Sequence, residues 1–154
     1  MSKLVQAFLS GLFFTFIIDF LLFLGIFIHY IQFLEIDIFY NILFADNQNM
    51  ILFFTISIFT GYLIIYLENT KINLIILGSL FLVVLLSLIP YIGYNVGKII
   101  LMKQNVTYQD ARHTFNGDAY YDGRKTITFY DYELKRVIIL QKRILLNETY
   151  IFNS

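Results

Sequence analysis

The sequence predicts an α-helical transmembrane bundle of three spans, followed by a small antiparallel β-rich C-terminal domain. Of the 154 residues, 58% are hydrophobic and only 14% are charged, whereas soluble domains are about half apolar and a quarter charged. Apolar runs long enough to cross a bilayer fill the first hundred residues, because about 20 helical residues span the hydrocarbon. From Gln104 onward, short strand-like segments separated by turn dipeptides replace them. These observations divide the chain into domains 1–102 and 103–154.

The spans follow from the positions of the charged residues. The first apolar run, from Leu4 to Leu34, contains one full charge, at Asp19, and has room for one helix. Pro90 is expected to kink or end the third span before a helical pattern resumes to residue 102, because proline lacks a backbone donor. The segment 35–44 mixes apolar residues with Asp37 and Asn41, which favours a helix lying at the interface. The predicted spans cover about residues 5–30, 50–67 and 72–89.

The positions of the basic residues predict the orientation. Lys98, Lys103 and Arg112 are the bases nearest a membrane end, and basic residues favour the cytoplasmic side. We therefore expect a multi-pass protein of a cell inner membrane with its C-terminal domain in the cytoplasm. The sequence has no cysteine, which excludes disulfides and thiolate chemistry.

Two residues within the first apolar run are unusual. Asp19 near the middle of the first run either faces a pore or proton path or pairs with a hydroxyl of the second span, such as Thr55, Ser57 or Thr60. His29 is expected at the interface.

The other unusual residues follow the third span. Gly93 and Gly97 form a G-x-x-x-G pair just after Pro90, which indicates close helix packing or a hinge. As a flexible neck, Pro90, Gly93 and Gly97 would link the C-terminal domain mechanically to the spans.

Turn signals organise the C-terminal domain as an antiparallel meander. Asn116-Gly117 and Asp122-Gly123 are typical of two-residue type I′ hairpin turns. About fifty residues bury little surface, so the domain is expected to self-associate or to pack on a partner. The run Val137 to Leu140 is apolar on both strand faces, which suits a subunit interface. Strands are predicted at 119–121, 126–132, 137–141, 144–146 and 149–152.

Basic pairs and aromatic residues in this domain are candidates for ligand binding. Each pair falls at a predicted strand end or turn, so several are expected to converge on one rim. The candidates are Arg124-Lys125, Lys135-Arg136, Lys142-Arg143, Arg112, His113, Tyr120, Tyr121, Tyr130 and Tyr132. Such a rim suits a phosphate-bearing nucleotide, with cations on phosphate and rings stacked on bases. Anionic lipid headgroups and simple pairing with six nearby acids are the competing interpretations.

Enzymatic function is not expected. The domain has no glycine-rich phosphate loop and no spacing that places a nucleophile beside a base, and no cofactor or metal is predicted. Duplex nucleic acid is not an expected partner either.

In outline, the chain resembles the small membrane effectors of type III CRISPR antiviral defence. The resemblance covers the architecture of the whole chain, from the Leu4 span to the segment 147–152, rather than a motif. It implies that the cytoplasmic domain binds a cyclic oligoadenylate, that protomers form homo-oligomers around it, and that the spans then disturb the bilayer. Two alternatives remain: a membrane immunity protein against a pore-forming toxin, in which Asp19 is a recognition residue, and an accessory subunit of a membrane complex.

Overall fold

The computed structural model describes residues 2–111, 113–145 and 147–150, without the side chains of 147–150. They form two compact units, Met1–Val96 and Gly97–Ser154. The boundary between the units lies within a helix, six residues before the predicted boundary at 102. We describe each unit by itself.

The first unit is helical. Asparagine side chains begin two of its helices: the Asn49 oxygen accepts the Leu52 amide, and the Asn69 oxygen accepts the Lys71 amide. A π-helical turn, Phe27–Ile31, continues the first helix, and a 3₁₀ turn, Leu86–Leu88, ends the fourth. The helices are α1 (Lys3–Ile26), α2 (Tyr40–Asn47), α3 (Met50–Tyr66), α4 (Thr70–Leu85) and α5 (Pro90–Leu101), which continues into the second unit.

Two or three of these segments are candidate membrane spans. Within the described residues, α1 with its π-helical turn and α4 with its 3₁₀ turn are long and apolar enough to cross a bilayer. A third candidate arises only if α2 and α3, which are bent by 84° at their junction, count together. The segment 35–44 is helical only from Tyr40, where α2 begins before continuing to Asn47, and its position at the interface stays a prediction.

Pro90 ends one helix and begins the next. Ile89 is extended, with φ −81° and ψ 129°, as the steric demand of a following proline favours. Pro90 is the first residue of α5, where its missing N–H costs nothing. The sequence predicted that Pro90 either kinks or ends the helix before it, and the structure shows that this helix ends.

Small residues join α1 to α3 along a seam, formed by Ala7, Gly11, Thr15, Ser57, Thr60 and Gly61, all of which are buried. A Cβ atom on Gly11 would lie 1.9 Å from the Ser57 carbonyl oxygen, and one on Gly61 would lie 2.1 Å from the Ala7 carbonyl oxygen. The Thr15 and Thr60 hydroxyls lie 3.3 Å apart within the seam. The two backbones are therefore in direct contact, as small residues at helix interfaces permit.

The second unit is a five-stranded antiparallel sheet in the order β4-β3-β2-β1-β5. Its strands are β1 (Lys103–Gln109), β2 (Thr114–Asp122), β3 (Thr126–Asp131), β4 (Arg136–Gln141) and β5 (Asn147–Tyr150). One face carries the core, formed by Val106, Tyr108, Ala119, Ile127, Phe129 and Leu140. The sequence predicted no strand at β1. The prediction of a meander is wrong for the last strand, because β5 pairs with β1 and not with β4.

Asn116-Gly117 is not a turn. Both residues lie within β2, where Gly117 pairs with Val106 on one side and Asp131 on the other. A Cβ atom on Gly117 would lie 1.8 Å from the Tyr130 carbonyl oxygen. The glycine is therefore required for close strand approach, and not for a positive φ.

The connections between the strands also differ from the prediction. The β1–β2 turn follows Gln109, and the Asp110 amide there donates to the His113 carbonyl. Asp122-Gly123 does lead into the β2–β3 connection, but neither residue has a positive φ, so the predicted type I′ turn is wrong. Ile144 belongs to a 3₁₀ turn rather than a strand. The predicted strand ends at Leu146 and Phe152 lie outside the described residues.

Candidate functional site

Two of the three dibasic pairs meet at one end of the sheet. Arg124-Lys125 precedes β3 and Lys142-Arg143 follows β4, and the register of these strands places Thr126 opposite Gln141. The Lys142 amide donates to the Lys125 carbonyl over 3.0 Å, which ties the two segments together. The four bases, with Thr126 and Gln141, line a cleft of about 570 Å³. We call it the basic cleft.

Asp122 at the end of β2 organises the lysines at this end. Its Oδ2 accepts a 2.7 Å hydrogen bond from Lys103 Nζ, and Lys142 Nζ forms an ion pair with its Oδ1. Burial by itself raises the pKa of Asp122, but the hydrogen bonds and charges of the two lysines outweigh it and hold the pKa below its ordinary value. The carboxylate therefore stays ionised and fixes both lysines in place.

The basic cleft suits an anion. Its end of the sheet carries five cationic side chains, those of Lys103, Arg124, Lys125, Lys142 and Arg143, and the Asp122 carboxylate pairs with two of them. Arginine and lysine donate charge-assisted hydrogen bonds to phosphate oxygens, and Thr126 and Gln141 add neutral donors. The described residues that line the cleft include no aromatic ring.

The third dibasic pair lies at the opposite end of the sheet. Lys135 is in the β3–β4 turn with φ 51°, and Arg136 pairs with Asp131, five register positions from Thr126. His113, on the β1–β2 turn at that same end, has its Nδ1 3.8 Å from Asp110 Oδ1. Of the bases expected to converge, the first two pairs therefore share one end of the sheet, whereas Lys135-Arg136 and His113 lie at the other. Arg112 lies outside the described residues.

The tyrosines do not line the basic cleft. Tyr121 is buried, with 5% of its surface exposed. Tyr120 and Tyr130 stack on each other with ring centres 6.0 Å apart, and Tyr132 meets Tyr130 edge-on at 6.3 Å. The predicted combination of phosphate contacts and free stacking surfaces in one site is therefore not formed by these residues.

A polar knot next to these tyrosines was missed by sequence reasoning. Asn105 has φ 53° at an irregularity of β1, and its amide donates to Asp118 Oδ1 over 3.0 Å. The Tyr132 hydroxyl donates to the same oxygen over 2.6 Å and lies 3.1 Å from Asn105 Oδ1. Burial, together with the hydrogen bond and charge of Asp118, raises the pKa of Tyr132 to about 12. The knot joins β1, β2 and the β3–β4 turn. No local sequence pattern reveals that these three segments meet.

Edge strand β4 exposes apolar side chains. Val137 and Ile139 are 47% and 68% exposed, whereas Leu140 belongs to the core and Ile138 packs against it. Among the described residues, the run is therefore covered on one face only. Homo-oligomer formation through this strand stays a prediction.

Asp19 has a different partner from the one predicted. Gln48, at the break between α2 and α3, donates its amide to Asp19 Oδ2 over 2.6 Å. Pairing with a hydroxyl is wrong, because Thr55, Ser57 and Thr60 donate to carbonyls of α3 itself. Asp19 thus lies beside the break between α2 and α3.

The three residues of the predicted neck have different surroundings. Gly93 is packed tightly: a Cβ atom there would lie 2.3 Å from the Ser87 carbonyl oxygen and 3.0 Å from both the Gly25 carbonyl oxygen and His29 Cδ2. Gly97 is buried and is the first residue of the second unit. A hinge function for Pro90, Gly93 and Gly97 stays a prediction.

Comparisons with known proteins identify no relative. No family model matches the chain, and no curated protein or solved structure matches it. The resemblance to CRISPR-associated membrane effectors therefore stays a prediction, and functional inference depends on the geometry of the chain itself.

Proposed function

We propose that the chain is a multi-pass membrane protein whose C-terminal sheet binds a phosphate-bearing anion in the basic cleft. The observation that carries this proposal is the convergence of Arg124-Lys125 and Lys142-Arg143 on one end of the sheet. Such a concentration of like charge is unfavourable without a counter-charge. Asp122 supplies one such charge to Lys103 and Lys142, and a phosphate group in the cleft would add further negative charge.

The apolar helices support the membrane part of the proposal. Large apolar side chains point outward from three different helices, with Phe13, Ile51 and Leu74 between 68% and 83% exposed. Exposing such residues to water costs about 25 cal/mol per Å² of apolar surface. A bilayer removes this cost, so the outward-facing surface of the helical unit is expected to contact lipid.

Phospholipid headgroups are the source of phosphate that the chain connectivity favours. Lys103 begins β1 only two residues after α5 ends, and it shares Asp122 with Lys142 of the cleft. The basic cleft is thus at the end of the sheet that leads out of an apolar helix. Polybasic segments next to a membrane attract the anionic lipids of the cytoplasmic leaflet.

A cyclic nucleotide is the second source of phosphate, and it defines the ligand-gated effector that the sequence predicted. In that version, the messenger binds the basic cleft of neighbouring protomers and α5 transmits the change to the spans. The four bases of the cleft favour it as they favour a headgroup, but base recognition needs a stacking partner. The described cleft residues provide none, and Tyr120 and Tyr130 already stack on each other.

The test uses the full chain in neutral detergent micelles. Isothermal titration compares short-chain phosphatidylglycerol, short-chain phosphatidylcholine and cyclic oligoadenylates. The double variant Lys125→Gln with Arg143→Gln removes two cleft bases. Its matched control, Lys135→Gln with Arg136→Gln, removes the same charge from the other end of the sheet.

We expect phosphatidylglycerol to bind more tightly than phosphatidylcholine. The cleft variant should weaken binding about tenfold or more, since hydrogen bonds to charged groups contribute about 1.5–3 kcal/mol each. The control variant should change it far less. Equal losses in the two variants would show unspecific attraction to net charge and refute a cleft. Tight binding of cyclic oligoadenylates alone would reject headgroups and support the effector.

A further inference from the structure

A second cleft, in the helical unit, lies between the π-helical turn and the start of α5. It has a volume of about 680 Å³ and is lined by Ile28, His29, Gln32, Phe33, Pro90, Tyr91 and Tyr94. This size is within the range of small-molecule sites in proteins. We call it the aromatic cleft.

The π-helical turn shapes one wall of the aromatic cleft. The Gln32 amide donates to the Phe27 carbonyl over 2.9 Å, and the Ile36 amide donates to the Ile31 carbonyl over 3.0 Å, both across five residues. Such turns are rare and are frequently found at functional sites. Here the turn and the residues directly after it supply four of the lining side chains, including His29 and Gln32.

His29 is held in one orientation. Its Nε2 lies 2.8 Å from the Leu88 carbonyl oxygen, and a carbonyl only accepts, so Nε2 carries the proton. In the neutral imidazole, Nδ1 is then a hydrogen-bond acceptor. Gly93 packs against the ring next to Nε2, since a Cβ atom there would lie 3.0 Å from His29 Cδ2. The acceptor is therefore positioned before any ligand arrives.

The lining combines three aromatic rings with polar groups and lacks full charges. The described lining residues include no lysine, arginine, aspartate or glutamate. Gln32 offers an amide donor and acceptor, and Tyr91 and Tyr94 offer hydroxyls. The Tyr94 ring is fixed by contacts with Tyr30 at 5.6 Å and Phe33 at 5.5 Å.

From this chemistry we propose that the aromatic cleft binds a neutral phenol-type or quinol-type ring that carries an apolar tail. The ring hydroxyl donates to His29 Nδ1 and accepts from the Gln32 amide, and the ring packs against Phe33 and Tyr94. A phenol matches these groups because it is neutral at pH 7 and both donates and accepts. A carboxylate does not, because the described lining offers no cation to pair with it.

Three matched probes test the proposal on the full chain in neutral detergent micelles: 4-heptylphenol, heptylbenzene and 4-heptylbenzoate. Each is radiolabelled, and binding to empty micelles is subtracted. We expect saturable binding of heptylphenol and affinities at least three- to tenfold weaker for the other two, the range for loss of one neutral hydrogen bond. Equal affinity for heptylphenol and heptylbenzene would refute recognition of the hydroxyl.

Substitutions locate the probe. His29→Ala removes the acceptor but also the bond to Leu88, so it is judged beside Gln32→Leu, which leaves that bond intact. Gln6→Leu, an equivalent change on the exposed first turns of α1, is the matched control. We expect Gln32→Leu to weaken heptylphenol binding three- to tenfold and Gln6→Leu to leave it unchanged. The same response in both glutamine variants would overturn the assignment of the cleft.

Discussion

Adding one methyl group to the seam between α1 and α3 should separate the two helices. In Gly11→Ala, the new Cβ atom would lie 1.9 Å from the Ser57 carbonyl oxygen, whereas ordinary contact begins at 3.4 Å. The obstacle is backbone, so the helices must move apart by about 1.5 Å at this point. A gap of about 0.5–1 Å already forfeits a quarter to a half of a contact's dispersion energy. Most of the close contact at the seam is therefore expected to be lost.

The free energy follows from three contributions. Overpacking costs about 1–3 kcal/mol. Loss of the hydrogen bond between Thr15 and Thr60, whose hydroxyls are 3.3 Å apart, adds about 1 kcal/mol. Alanine recovers about 0.8–1 kcal/mol through its higher helix propensity. The net destabilisation is expected to be about 1–3 kcal/mol.

Gly78 of α4 provides the matched control. A Cβ atom at this position meets nothing within 4 Å. Gly78→Ala should therefore stabilise the helical unit by about 0.5–1 kcal/mol through helix propensity alone. Unfolding of the purified protein by sodium dodecyl sulfate in mixed micelles, followed by far-UV circular dichroism, measures both variants. Equal midpoints for Gly11→Ala and Gly78→Ala would refute the close approach of α1 and α3.

Three further predictions concern the sheet. The pKa of Asp122 is lowered in the folded state, so its contribution to stability is complete at pH values above the ordinary aspartate pKa and is lost as the pH falls through the folded pKa. Asp122→Asn should therefore flatten the acid side of a curve of stability against pH. An unchanged curve would contradict the ion pair with Lys142. Asp118→Asn should lower the pKa of Tyr132 from about 12 towards 10, measured as the difference in tyrosine absorbance titration between chains with and without Tyr132→Phe; a value that stays near 12 would count against the knot. Gly117→Ala should destabilise the sheet by about 1–3 kcal/mol in thermal unfolding, because its Cβ would lie 1.8 Å from the backbone of β3, and a stability equal to that of the original chain would disprove the tight pairing.

The helical segments were accessible from sequence because apolar length alone determines them. The α4 segment, Thr70–Leu88 with its 3₁₀ turn, matches the span predicted at 72–89 to within two residues. The limits of this reasoning appear at α3, whose 17 residues qualify as a span only together with α2. Hydropathy measures how apolar a segment is, but it carries no information on an 84° bend.

The site was harder to predict because it depends on strand register. The dipeptide Asn116-Gly117 is as compatible with a turn as with a strand, and only the proximity of the Tyr130 carbonyl explains the glycine. Because a turn was predicted at Asn116-Gly117, the strand β1 before it was not recognised. Convergence of Arg124-Lys125 with Lys142-Arg143 follows from the pairing of Thr126 with Gln141, which could be deduced once β3 and β4 were recognised as neighbours. The partner of Asp19 could not be deduced, because Gln48 lies in a connection whose path depends on tertiary packing.

In the basic cleft, Asp122 competes with any bound phosphate for Lys142. Lys142 interacts with an internal carboxylate that any incoming phosphate must share or displace. The same carboxylate holds Lys103 at the first residue of β1, so a ligand that draws Lys142 away changes the electrostatic restraint on the strand that follows α5. The coupling is reciprocal: if the ligand changes the equilibrium constant of the contact between Lys103 and Asp122 by some factor, formation of that contact changes the affinity for the ligand by the same factor. One half-buried carboxylate thus provides a physical basis for coupling anion occupancy to the point where the sheet joins its helix.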